Sequence, residues 1–150
     1  ALRVLAHPHR GNFNVSPELV TGLHGIEIWN GHYDGKWAPR SKTRQLLLQL
    51  RINNPQLFAF AGLDFHDQRQ LGGPLLQLSL ESLSAEVILE NLRSGRFIIK
   101  SWLELSSQGR TDWLRAIYLS MLSDVSLIIL RLGRLVGAPP ALKRIVRKLI

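Results

Sequence analysis

The stretch LFAFAGLDFHD, residues 57–67, decides how the rest of the chain is interpreted. Its apolar run Leu57–Ala61 predicts a short buried strand that Gly62 ends. Asp64 and His66 follow, and residues two apart in an extended segment point to the same side. We therefore expect an oxygen and an imidazole nitrogen at one point beyond the strand's carboxyl end, where α/β sheets place their chemistry. This pair suits zinc, manganese or iron, and a turn cap beside a merely polar histidine is the alternative.

Composition limits the classes of protein that need to be considered. The chain has 150 residues, of which 45% are hydrophobic and 20% charged, so it can form one domain with a real core. It contains no cysteine, which excludes disulfides and thiolate sites and leaves His, Asp and Glu as metal ligands. This usage fits a reducing cytoplasm, where we expect the protein.

Strands and helices are predicted to alternate along most of the chain. We expect strands at 2–6, 25–29, 57–61, 75–80 and 97–100, and helices at 16–22, 40–53 and 83–95. Ser16 and Ser84 are expected to cap the first and third helices, and the second is expected to bury Leu46, Leu47 and Leu50 and to leave Arg40 solvated. Such alternation indicates an α/β fold with parallel strands. His7 directly follows the first strand, as Asp64 follows the third, and Glu27 lies inside the second. A glutamate within an apolar strand is costly unless it is paired or functional.

A turn-rich loop, NGHYDGKWAP at residues 30–39, follows the second strand. It carries His32, Tyr33, Asp34 and Trp37, which are side chains able to contact a substrate. A solvated surface loop is the equally weighted alternative.

Four segments resemble, in their order, the second half of a PHP (polymerase and histidinol phosphatase) domain: LAHPHRG, GIEIWNG, AGLDFHD and LSAEVILENLRSGRF. The resemblance covers about residues 2–101. It implies the C-terminal half of a seven-stranded β/α barrel that carries metal ions at its mouth and hydrolyses phosphate esters. The expected domains are therefore a barrel part at 1–109 and a helical basic extension at 110–150.

The resemblance also implies roles for individual residues. His7, Asp64 and His66 match metal ligands, for manganese, zinc or iron, and Asp64 and His66 are the expected catalytic residues. Glu27 and Asn30 are expected to support them. Metal ions would polarise the phosphate and activate a water molecule.

The substrate implied by the resemblance is a phosphorylated small molecule or a nucleotide. His9 and Arg10 follow the first strand, and arginine matches phosphate with two parallel hydrogen bonds, so we expect them to bind the substrate. A plain surface charge is the alternative for Arg10.

The chain departs from the family pattern in what it lacks. PHP domains carry an H-x-H strand motif and further His and Glu ligands before the AHP element, and this chain has neither. Three ligands should bind metal poorly, so we expect an incomplete phosphoesterase, as a C-terminal fragment or a degenerate half-barrel.

The C-terminal extension has a different character. Residues 110–150 hold 8 basic and 2 acidic side chains, which is +6 of the net +8. An amphipathic helix is predicted over 111–136, followed by a basic helix at 141–150. The extension could cover the domain, dock on a protein partner, or lie on an anionic membrane as part of a non-catalytic module. Nucleic acid is disfavoured because the basic residues alternate with aliphatic and not with stacking aromatic side chains.

Overall fold

The computed structural model describes residues 1–34, 37–66, 68, 71–110, 117–119, 121–122, 124–125, 128–129, 132 and 139. These residues form a mixed α/β fold with two three-stranded sheets. The predicted α/β class is therefore confirmed.

The first sheet contains β1 (Val4–Leu5), β2 (Gly25–Asn30) and β3 (Phe58–Gly62) in the order β1-β2-β3. Both pairs are parallel, as the sequence predicts for this half of the chain. All six residues of β2 are buried, which is the usual state of a central parallel strand. The carboxyl ends of the three strands consequently meet at one edge.

Three helices connect or follow these strands: α1 (Pro17–Thr21), α2 (Ser41–Leu50) and α3 (Ala85–Arg93). The predicted serine caps are confirmed, because the hydroxyls of Ser16 and Ser84 accept hydrogen bonds from the first turns of α1 and α3. The predicted inner face of α2 is also confirmed: Leu46, Leu47 and Leu50 are all buried.

The second sheet corrects the expectation of parallel strands throughout. It contains β4 (Leu75–Gln77), β5 (Ile98–Lys100) and β6 (Glu104–Ser106), and both of its pairs are antiparallel. Only residues 101–103 separate β5 from β6, and so short a connection can join only antiparallel strands. The sequence prediction missed β6 because ELS is short and mostly polar.

One hydrophobic core joins the two sheets. Ile26, Trp29 and Ala59 of the first sheet and Ile99 and Leu105 of the second belong to the same buried cluster. A hydrogen bond of 2.7 Å from the Ala59 amide to the Ser107 carbonyl connects β3 with the segment after β6. The antiparallel sheet therefore closes the core beneath the parallel one.

The described residues between 117 and 132 are helical, as predicted for that part of the extension. Leu119 packs against the core, and Asp124 accepts a hydrogen bond of 2.6 Å from Ser41 at the start of α2. Trp113 and the predicted helix at 141–150 lie outside the described residues. Among the residues that are described, no helix has the length and apolar character needed to cross a membrane.

Candidate functional site

Five polar residues from three strand ends converge at the carboxyl edge of the parallel sheet. They are His7 after β1, Glu27 and Asn30 in β2, and Asp64 and His66 after β3. The His7 Nδ1 lies 2.8 Å from a Glu27 oxygen, and the His66 Nε2 lies 3.1 Å from an Asp64 oxygen. We call these residues the strand-end cluster. The predicted convergence of His7, Asp64 and His66 is therefore present in the structure.

Asn30 is the centre of the strand-end cluster. Its side-chain oxygen accepts hydrogen bonds from the backbone amides of His32 and Tyr33, both at 3.0 Å. These bonds fix the orientation of the side-chain amide, so its nitrogen points to the carboxylates. That nitrogen donates to Glu27 at 3.1 Å and to Asp64 at 3.3 Å. The buried amide thus holds two carboxylates from neighbouring strands together.

Glu27 fixes both the backbone and the ring of His7. One of its oxygens accepts from the His7 backbone amide at 2.8 Å and lies 2.8 Å from the His7 Nδ1. The Asn30 side-chain nitrogen also lies 3.0 Å from this Nδ1, so both residues of β2 hold the His7 ring in place through the same ring nitrogen. A Cβ added at Gly62 would lie 3.1 Å from the other Glu27 oxygen, so glycine provides the space for this carboxylate.

The backbone is strained at two of these residues. His7 has a φ of 50° and Asp64 a φ of 49°, both in the left-handed region that favours glycine. Non-glycine residues remain in this conformation only where the surrounding contacts hold them, and such residues concentrate at functional sites. Here the contacts to Glu27 and Asn30 provide that restraint.

Asp64 is held in its ionised form. Burial raises the pKa of its carboxyl, but the Asn30 amide and the nearby imidazoles of His7 and His66 lower it by more, and the net pKa is below its usual range. The Asp64 side chain is 19% exposed and the His66 side chain 67% exposed. An anionic oxygen is therefore accessible from solvent at this edge.

Aromatic rings form a wall beside the strand-end cluster. The Tyr33 ring lies 4.3 Å from the His9 ring and 4.7 Å from the His32 ring, measured between centroids. The His32 ring in turn lies 5.3 Å from that of His66, and the Arg10 guanidinium donates a hydrogen bond to the Tyr33 hydroxyl. Four of the chain's five histidines thus lie at this edge, and only His24 lies at the opposite end of β2.

His9 is expected to be neutral at physiological pH. Burial lowers the pKa of its imidazole, and the electrostatic effect of the neighbouring Arg40, His7 and Arg10 side chains lowers it further. A neutral imidazole can accept or donate a hydrogen bond.

A buried ion pair lies beneath the loop after β2. The Arg40 Nε is 2.6 Å from an Asp34 oxygen, and the other Asp34 oxygen accepts from the backbone amide of Asn30 at 2.9 Å. Burial raises the pKa of Asp34 to about 6, against the opposing effect of Arg40. The sequence prediction of a solvated Arg40 is wrong, because this side chain crosses the loop and also donates to the Tyr33 carbonyl.

The donor types of the strand-end cluster fit a divalent metal ion. Two imidazoles and two carboxylates are the nitrogen and oxygen ligands that zinc and manganese accept. In the part of the chain that the structure describes, no group of three or more such side chains is arranged to hold a metal ion. The histidines and carboxylates are paired with one another, so metal binding would require these hydrogen bonds to be exchanged.

The predicted site residues all lie at or beside this edge. His7, Glu27, Asn30, Asp64 and His66 are in direct contact through hydrogen bonds, whereas His9 and Arg10 occupy a 3₁₀ turn at Pro8–Gly11 and contact Tyr33. The central position of Tyr33 was not predicted. Its only signal was its place in a loop that follows a buried strand.

Comparison with known proteins finds no matching family model, no matching curated protein and no matching solved structure.

Proposed function

We propose that the strand-end cluster is a metal-dependent phosphoesterase site. The observation that supports this most directly is the Asn30 amide, which holds Glu27 and Asp64 together while Glu27 orients His7. Side chains distant in sequence, of types that can bind a metal ion, are here joined by hydrogen bonds. A loop of merely polar residues would not need a buried, fully hydrogen-bonded asparagine for its support.

Each residue has a distinct part in the proposed site. His7, through Nε2, and Asp64 and His66 would hold the metal ion, and Glu27 would keep the His7 ring in position. A bound divalent ion supplies a water of lowered pKa and stabilises the charge on a phosphate group. Asp64, whose carboxylate stays ionised, and His66, which is the most exposed member of the cluster, are the proposed catalytic residues.

The aromatic wall supports a phosphorylated substrate. The Arg10 guanidinium, next to Tyr33, can form two parallel bonds to a phosphate, and the neutral His9 can add a third. The rings of Tyr33 and His32 offer flat surfaces for the remainder of a nucleotide or other phosphorylated small molecule. The parallel sheet β1-β2-β3 would correspond to strands of a PHP-type barrel.

Metal binding tests this proposal independently of turnover. The purified chain is dialysed against Mn²⁺ or Zn²⁺, and the retained metal is measured by elemental analysis. Asp64→Asn should lower the affinity by roughly 10–100-fold, because a neutral amide is a weak ligand. Asparagine tolerates a positive φ better than most residues, so this variant should fold, as circular dichroism can show.

His24→Ala is the matched control for a parallel His66→Ala variant, because it removes a histidine from the opposite end of the sheet. Metal affinity should fall for His66→Ala and remain unchanged for His24→Ala. Release of nitrophenol from p-nitrophenyl phosphate is measured on the same samples, and we expect it to be slow and lost with Asp64→Asn. A wild-type chain that retains no metal, or equal losses in both histidine variants, would show that the cluster is a structural hydrogen-bond network.

A further inference from the structure

The helical residues between 117 and 132 present an apolar stripe to solvent. Successive residues are rotated by about 100°, so the eight large apolar side chains fall within roughly 140° of the helix circumference. We call this set the outer stripe. Its members are 42–63% exposed: Ile117, Tyr118, Met121, Leu122, Val125, Ile128, Ile129 and Leu132.

The helix contacts the domain through other residues. Leu119 lies on the side away from the outer stripe and packs against the core, and Asp124 at the border of the stripe bonds to Ser41. The helix therefore turns the outer stripe away from the surface that Leu119 and Asp124 contact. The domain does not cover the outer stripe in the described structure.

An exposed stripe of eight large apolar side chains is unusual on the surface of a soluble protein. Single exposed apolar residues are common, whereas a contiguous exposed apolar patch marks a binding surface. Elsewhere in the described chain, exposed apolar residues form smaller groups, such as Leu48 and Ile52 at the end of α2 and Leu83 before α3. The outer stripe thus differs from these groups in the number of exposed apolar side chains on one side of a helix.

Charge indicates which partner the stripe fits. Residues 110–150 carry 8 basic and 2 acidic side chains, and all eight basic residues lie outside 117–130, two before it and six after it, so cations flank the stripe in sequence. Two copies of this segment would repel each other, which disfavours pairing of stripes between two copies of the chain. An anionic lipid surface satisfies both properties, because its headgroups attract the cations and its acyl region accepts the apolar side chains.

We propose that the outer stripe docks the protein on an anionic phospholipid surface. The helix lies along the surface with its apolar side chains in the acyl boundary. The Leu119 and Asp124 contacts keep the domain attached to the solvent side of the helix. The strand-end cluster takes no part in this docking.

Vesicle co-sedimentation of the full chain tests the proposal. Vesicles of phosphatidylcholine with about 30% phosphatidylglycerol are compared with vesicles of phosphatidylcholine alone. The wild-type chain should bind the anionic vesicles at least about tenfold more tightly, and binding should weaken as salt is raised from about 0.1 M to 1 M.

A variant of the outer stripe and a matched control separate membrane docking through the stripe from non-specific adsorption through other exposed apolar residues. The triple variant Met121→Gln, Val125→Gln, Ile128→Gln should bind at least about tenfold more weakly than the wild type, because the apolar contribution is lost. The control Leu48→Gln, Ile52→Gln, Leu83→Gln removes three exposed apolar residues elsewhere and should bind like the wild type. Circular dichroism confirms that both variants are folded.

Three results would overturn the proposal: no binding of the wild type to anionic vesicles, equal binding by the stripe variant, or equal loss in the control. Sedimentation velocity identifies the competing occupant. A concentration-dependent dimer that the stripe variant abolishes, without vesicle binding, would assign the stripe to a second copy of the chain.

Discussion

The two sheets differ in the residues that occupy left-handed backbone positions. Around the parallel sheet these positions hold His7, Asn12, Phe13 and Asp64, whereas in the second half of the chain they hold Gly72, Gly95 and Gly109. Glycine adopts a positive φ without steric cost, but other residues do so only under restraint. Among the described residues, the parallel half therefore keeps non-glycine side chains, three of the four polar, at strained positions, and the antiparallel half does not.

Burial separates the same two regions. Every residue of β2 is buried, and only one residue of β5 and one of β6 are. A strand enclosed on both faces can hold Glu27 and Asn30 in fixed positions, because they have no solvent to compete for their hydrogen bonds. We infer that the parallel sheet supports the site and that the antiparallel sheet mainly completes the core.

The largest expected effect concerns the two tryptophans that represent these regions. Trp29 in β2 is fully buried, and Trp102 between β5 and β6 is 53% exposed. Trp29→Ala should lower the free energy of unfolding by about 3–5 kcal/mol through lost burial and a cavity. Trp102→Ala should cost about 1 kcal/mol, mostly from its ring contact with Trp37. Urea unfolding followed by circular dichroism measures both, and equal losses would contradict the division between the sheets.

An intermediate effect concerns the buried Asp34. Its pKa is raised to about 6 from 3.8, so the folded state binds the proton more tightly than the unfolded chain. The free energy of unfolding should therefore fall as pH rises through this window, by up to about 3 kcal/mol. Asp34→Asn should remove that part of the slope. Urea unfolding at pH values across the window compares the two proteins, and parallel curves would show that Arg40 keeps the folded pKa near its unfolded value.

The smallest expected effect concerns the glycines at left-handed backbone positions in the second half of the chain. Gly72 has a φ of +87° and open space around an added Cβ, so Gly72→Ala costs only backbone strain, about 1 kcal/mol. Gly11 also has open space but lies outside the left-handed region, so Gly11→Ala should be nearly neutral. Thermal unfolding of both variants gives the difference. Equal stability would mean that left-handed strain contributes little to either half.

Much of the fold follows from local sequence patterns. The apolar runs locate the strands, and Ser16 and Ser84 locate two helix starts, because capping depends on residues within one turn. His7, Asp64 and His66 were found for a related reason, since each follows an apolar strand at short distance. The aromatic wall was found only in part, because the packing of Tyr33 against His9 involves residues 24 positions apart.

The amino-acid sequence alone is enough to predict the type of most helices and strands and the polar residues at the strand ends. Periodicity and capping are properties of neighbouring residues, and a single chain displays them directly. Three features can be seen only in the tertiary structure: the antiparallel pairing of β4, β5 and β6, the ion pair between Arg40 and Asp34, and the side of the helix at Leu119 that faces the core. These features depend on contacts between segments that are distant in sequence, such as the hydrogen bond from Ala59 to Ser107. Such contacts stabilise the protein only after the chain has brought those segments together.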